Sequence, residues 1–352
     1  MASGHRVVAP LLRDGAIVPS EIAGPHDLPR GKSDTQSPGR YRVTDGTPGT
    51  WFEHTVGPQS WKAWLYPARE RLWKATTRDD GTTFEPEDIR APATVLFGVR
   101  ACDLAALARL DAVFGAGPFR DPRYVRRREA TRIIAVNCSR SASTCFCASA
   151  GTGPRAGEGY DLALTELARA GGDGFLLTVG SAEGEALLAG LETRPAQAPD
   201  IAAADEVTRA ATDDQQRSLP HNAAAAVRAD PDHPRWDDVA ARCLDCGNCT
   251  LACPTCFCSD IEDVSDLSGD HAERWRVWDS CFSLAFSHVT GGSVRRSGRS
   301  RYRQWLGHKL GAWHEQYGMS GCVGCGRCIA WCPAGIDLTE EATALTIPAE
   351  EA

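Results

Sequence analysis

The chain has 352 residues, 24% of them charged and 42% hydrophobic, enough for two domains at the usual ~100–200 residues each. A formal net charge of −8 excludes a protein that holds nucleic acid by bulk electrostatics, and no run approaches the ~20 apolar residues of a membrane helix. Fifteen cysteines, an odd number, with no apolar leader at the N-terminus, argue against a secreted disulfide framework and for a reducing cytoplasm where cysteine holds metal.

The first half reads as α/β. Residues 93–99 (ATVLFGV) and 132–137 (RIIAVN) are short β-branched runs of the kind that form buried strands, and 175–179 (FLLTV) is a third. Between the first two, residues 103–114 carry apolar side chains near helical spacing, which predicts a parallel strand–helix–strand unit. Residues 161–170 and 182–191 read as two further helices, and 192–234 as an Ala-, Asp- and Pro-rich connector with helical pieces. From residue 235 onward no strand alternation is visible, and 237–243 and 302–313 read as short helices beside cysteine runs. The expected class is therefore α+β: an α/β domain over 1–191, the connector, and an α-helical ferredoxin-like domain over 235–352 carrying two [4Fe–4S] clusters.

The cysteines are unevenly spread, four between Cys102 and Cys147 and eleven between Cys243 and Cys332. Cys243, Cys246, Cys249 and Cys253 form a C-x2-C-x2-C-x3-C-P run, and Cys322, Cys325, Cys328 and Cys332 repeat it. This is the bacterial ferredoxin pattern, in which the fourth cysteine ligates the other cluster. Carried onto this chain, one cluster takes Cys243, Cys246, Cys249 and Cys332, and the other takes Cys322, Cys325, Cys328 and Cys253. Zinc also accepts four thiolates, but its sites usually pair two-cysteine knuckles, whereas each run here puts three ligands within seven residues. Cys256, Cys258 and Cys281 are surplus, read either as small buried apolar residues or as ligands of something else.

Cys102 follows the first strand; Cys138, Cys145 and Cys147 follow the second. If those strands are neighbours, all four thiols converge at the carboxyl edge of the sheet, where open α/β sheets bind ligands. Four cysteines suffice for a third [4Fe–4S] cluster or for zinc; inert thiols are the remaining reading. Arg295, Arg296, Arg299, Arg301, Arg303 and Lys309 make a basic stretch, with Asp260, Glu262, Asp263, Asp266 and Asp270 as an acidic run able to pair with it. Only four of the 38 basic residues are lysine, which reads as a compositional bias.

These motifs together resemble a known family, the beta subunits of cytosolic [NiFe] hydrogenases of the sulfhydrogenase type, related to the A-type subunit of anaerobic sulfite reductase. The resemblance rests on Phe97–Leu104 (FGVRACDL), Asp121–Tyr124 (DPRY), Asn137-Cys138 with Cys145-Phe146-Cys147, Cys253–Cys258 (CPTCFC), Trp278–Cys281 (WDSC) and Cys322–Cys328 (CVGCGRC), with Ser60–Glu70 also similar. It implies a non-catalytic electron-transfer component, passing electrons between a flavin subunit linked to NAD(P)H and the small and large subunits of a hydrogenase. The alternatives are a component of an anaerobic sulfite reductase and a self-contained iron–sulfur reductase.

Overall fold

The computed structural model describes residues 4–349, so the outermost three positions of the expected segments 1–191 and 235–352 lie outside it. Its strands are β1 (Arg6–Arg13), β2 (Ala16–Glu21), β3 (Lys32–Ser37), β4 (Arg40–Asp45), β5 (Arg69–Arg78), β6 (Gly81–Pro86), β7 (Thr94–Val99), β8 (Thr131–Val136), β9 (Leu162–Glu166), β10 (Phe175–Val179), β11 (Ser259–Ser265) and β12 (His271–Trp278). One six-stranded sheet runs β10-β9-β8-β7-β1-β2. Its four inner strands are parallel and its two edges antiparallel. Parallel strands need apolar cover on both faces, which is why the inner strands β1, β7 and β8 carry near-continuous apolar runs.

The expected strand–helix–strand unit is present: β7, the helix Ala101–Leu110, a widened helical turn over Asp111–Gly115, the helix Pro122–Glu129, then β8 alongside β7. Pro122 opens the second helix, and the Asp121 carboxylate caps it by accepting from the Arg123 and Tyr124 amides at 2.8 and 3.2 Å. Leu96, Val99, Leu104, Leu107, Leu110, Tyr124 and Ile133 fuse sheet and helices into one core.

Two expectations are corrected. Residues 161–170 are not a helix: Leu162–Glu166 is β9, a strand between β8 and β10, and only Ala168–Ala170 make a helical turn. Leucine and alanine favour a helix locally, but a place between two partner strands overrides that weak preference. Nor is the C-terminal half all helical. The segment between the two cysteine runs forms the hairpin β11–β12, and β12 pairs antiparallel with β5, giving a second sheet β11-β12-β5-β6.

Arg276 on β12 reaches Glu70, which also receives Arg123 and Arg127 from the Pro122–Glu129 helix; all four are nearly buried. Against these three guanidinium groups, burial alone would raise the Glu70 carboxyl, yet it is held below its ordinary value. The cysteine runs lie against a separate aromatic core of Trp236, Phe282, Tyr302, Trp305 and Leu306, carried by the helices Arg235–Arg242 and Gly298–Leu306 with the turn after β12. Among the described residues no helix is long and apolar enough to cross a membrane.

Candidate metal centres

Each ferredoxin-type run folds as a loop entering a single helical turn, Asn248–Leu251 in the first and Arg327–Ala330 in the second. A glycine with left-handed backbone precedes each turn, Gly247 and Gly326, both at φ +74°. That conformation is nearly free for glycine and costly for other residues, so it lets three cysteines turn inward in few residues. Backbone amides point at sulfur: Asp245 N to Cys243 Sγ at 3.4 Å, Gly324 N to Cys322 Sγ at 3.4 Å, and Ile336 N to Cys332 Sγ at 3.3 Å.

The thiols sort themselves across the two runs. Burial pushes Cys249 well above the ordinary thiol range, and charge on Cys243, Cys332 and Cys246 pushes it further. Burial likewise raises Cys328, with Cys322, Cys325 and Cys253 as its nearest charged neighbours and Cys249 beyond them. Cys332 thus acts on Cys243 and Cys249 of the first run, and Cys253 on Cys322, Cys325 and Cys328 of the second. Cys243, Cys246, Cys249 and Cys332 line one apolar cavity with Phe282, Tyr302 and Trp305, and Cys328 of the second run reaches the same cavity. Cys246 is the one exposed cysteine of the eight, so this group lies nearer solvent.

The N-terminal cysteines form a third group. Because β7 and β8 are parallel neighbours, Cys102 in the first helical turn after β7 and Cys138 just past β8 share one sheet edge. Burial raises all four thiols, Cys147 to about 12, and Cys147 and Cys138 rank among the charges felt by Cys145. Cys325 of the second run is felt by Cys102, Cys145 and Cys147, and Cys102, Cys147, Val323 and Cys325 share one small core. Phe146 N donates to Gly324 O at 2.9 Å and Thr152 Oγ1 to Val323 O at 2.7 Å, stitching the two loops together.

Several contributors were not legible in the sequence. Gln215, from the connector, donates to Cys147 Sγ at 3.1 Å and accepts from Ala148 N at 3.1 Å. Buried Arg100 donates to the carbonyls of Phe52, His54 and Asn137 at 2.8, 2.6 and 3.2 Å, and its charge opposes the rise at Cys138. The basic stretch does not meet the acidic run. Arg299 pairs with Asp232 and Asp237, Arg301 with Asp245, and Lys309 with Cys253 Sγ at 3.2 Å, while Asp263 pairs with Arg274 across the hairpin.

The donor chemistry fits iron–sulfur ligation. Buried thiols with raised proton affinity stay protonated in neutral water unless a metal replaces the proton, and amide-to-sulfur hydrogen bonds, which tune a cluster's potential, are present in both runs. Among the described residues no three His, Cys, Asp or Glu side chains close around a single-ion position.

Comparison with known proteins agrees with this chemistry. Residues 242–336 match the family model described as a 4Fe-4S dicluster domain. The chain is 34% identical over 251 residues to the sulfhydrogenase 2 subunit beta of Pyrococcus furiosus, an overlap covering 69% of this chain and 71% of that one. No solved structure matches.

Proposed function

The chain belongs to the family of sulfhydrogenase beta subunits, and from that premise we propose that it is the electron-relay component of a hetero-oligomeric hydrogenase. In this reading it carries electrons between a flavin subunit linked to NAD(P)H and the small and large hydrogenase subunits. One [4Fe–4S] cluster takes Cys243, Cys246, Cys249 and Cys332, and a second takes Cys322, Cys325, Cys328 and Cys253. A third takes Cys102, Cys138, Cys145 and Cys147. What supports the reading is the placing of Cys332 beside Cys243, Cys246 and Cys249 around one cavity, and of Cys253 among the charges felt by Cys322, Cys325 and Cys328.

Such clusters exchange one electron at a time, at potentials spanning roughly −700 to +450 mV according to hydrogen bonding, charge and exposure. The protein's residues hold and tune. Amides of Asp245, Gly324 and Ile336 donate to ligand sulfurs and stabilise the more negative, reduced state. Phe282, Tyr302 and Trp305 wall the inner side of the first group, and Lys309 sets a buried positive charge against Cys253. Cys325 shares one small core with Cys102 and Cys147, and Cys328 and Cys249 line one cavity, which supports a continuous order of groups: N-terminal, second run, first run.

Anaerobic purification with co-purifying subunits, followed by iron and acid-labile sulfide counts, tests the reading. About twelve iron atoms per chain, with flavin and hydrogenase subunits attached, are expected. An iron-free chain, or pyridine-nucleotide oxidation by the isolated chain, would overturn it.

A further inference from the structure

Cys256, Cys258 and Cys281 are left over once each proposed cluster has four thiols, and the fold brings Cys258 and Cys281 together. Cys258 directly precedes β11, and its carbonyl accepts the Asp279 amide at 2.9 Å, which extends the β11–β12 ladder by one pair toward Cys281. There the two side chains come close enough to act on each other's proton affinity, Cys281 packs against the same core as Cys249, and neither residue is fully buried. Cys281 also feels the charge of Cys249, a proposed ligand of the first cluster.

Two of the chain's four lysines are buried on this loop. Lys309 Nζ lies 3.2 Å from Cys253 Sγ, 3.5 Å from Cys256 Sγ and 3.1 Å from Thr255 Oγ1. Lys62 Nζ donates to the carbonyls of Cys253 and Cys256 at 3.2 and 2.8 Å and sits 3.8 Å above the Trp278 ring. A buried ammonium is costly unless it meets negative charge or good acceptors; for Lys309 the sulfur atoms supply it, and for Lys62 the loop carbonyls do. The scarce lysines are therefore not only a matter of composition; two of the four are buried against the Cys253–Cys256 segment.

We propose that Cys258 and Cys281 form a redox-active dithiol that exchanges electrons with the neighbouring first-run cluster. The inference rests on the cluster reading given above. Oxidation breaks two S–H bonds, forms one S–S bond, and releases two protons to solvent and two electrons. The electrons leave one at a time to oxidised [4Fe–4S] clusters, and the reverse sequence restores both thiols. A pair of one-electron carriers beside a two-electron couple lets the chain hold an electron pair until both can be delivered. The neighbouring Cys281 thiol, and then the Lys309 charge, bring Cys258 down to about 7 against the opposing effect of burial, close to the optimum for a thiolate in exchange chemistry.

The test uses the anaerobically purified holo-protein, poised with an oxidised dye or with dithionite, alkylated and peptide-mapped. The oxidised sample should yield a disulfide-linked Cys258–Cys281 peptide, and the reduced sample both residues alkylated. Cys258→Ser and Cys281→Ser should keep wild-type iron and sulfide but take up about two fewer electrons per chain in a reductive titration. Cys256→Ser should keep the wild-type electron count. Loss of iron from either member of the pair makes these thiols cluster ligands and overturns the proposal. The two readings fail differently: an iron-free wild type removes the clusters and this electron source together, whereas full iron with permanently unlinked thiols removes the dithiol alone.

Discussion

The guanidinium of Arg327 grips the carboxylate of Asp103 in a two-pronged hydrogen bond, 2.9 Å to Oδ1 and 3.0 Å to Oδ2, with both side chains 2% exposed. Arg327 lies between Cys325 and Cys328, and Asp103 directly follows Cys102. This one pair therefore fixes the second cysteine run against the N-terminal cysteine group, helped by a 2.9 Å bond from Arg327 Nε to Gly57 O. Removing one partner leaves the other charge buried and unmatched, at a cost of about 3–5 kcal/mol. Asp103→Leu and Arg327→Met should each lose that much in anaerobic denaturant unfolding, and the double variant should recover most of it. Single variants within ~0.5 kcal/mol of the parent, the range of ordinary surface changes, would contradict this account.

Crossed ligation predicts which cluster each substitution damages. Cys253→Ser should disturb the cluster of Cys322, Cys325 and Cys328, although it lies in the other run. Cys332→Ser should disturb that of Cys243, Cys246 and Cys249. Electron paramagnetic resonance of the dithionite-reduced variants separates the two signals. If each serine damages the cluster of its own run, the assignment is wrong.

What the sequence disclosed and what it hid follow from range. Spacing within a run is local chemistry, so Cys243 to Cys253 and Cys322 to Cys332 announced themselves, and β-branched residues announced β7 and β8. Leu162 to Glu166 was misread because leucine and alanine signal helix, whereas its strand state comes from partners on both sides. The hairpin β11–β12 was missed because β11 is exposed throughout and has no apolar alternation. Its support is cross-strand, as in Asp263 with Arg274, and visible only once paired. Gln215, Lys62 and Lys309 meet cysteines 68, 191 and 56 positions away, which no local pattern encodes.

Gly324 and Gly326 hold the second run close to the N-terminal loop. Both have positive φ, and a Cβ on Gly324 would stand 2.6 Å from the Cys147 backbone, one on Gly326 2.3 Å from Thr144 O. Alanine at either site adds roughly 1–3 kcal/mol of backbone strain to a clash with main chain, which has little room to yield. Gly247→Ala shares the strain but meets only side-chain atoms, Ser280 Oγ at 3.1 Å and Thr250 Oγ1 at 3.7 Å. Thermal unfolding should rank Gly324→Ala and Gly326→Ala below Gly247→Ala. The two severe variants should also lose iron from the N-terminal group, and equal stability of all three would count against a backbone clash.

Lys309 makes a prediction about potential. Its ammonium is fully buried and held protonated, because burial, which opposes its charge, is outweighed by Cys253 and Cys256. A cation beside a cluster ligand favours the reduced, more negative state and raises the potential. A hydrogen bond to a charged group is worth about 1.5–3 kcal/mol, and 59 mV corresponds to a tenfold change for one electron, so removal lowers the potential by at most about 60–130 mV. The effect falls short of that limit because the bond exists in both redox states and only the difference counts. Lys309→Met should therefore shift the second-run cluster to more negative potential in a spectroscopically monitored titration. The first-run cluster should move less, and Lys309→Arg should restore most of the loss. A potential that stays put or rises in Lys309→Met would mean that the sulfur of Cys253 is not attached to the redox centre.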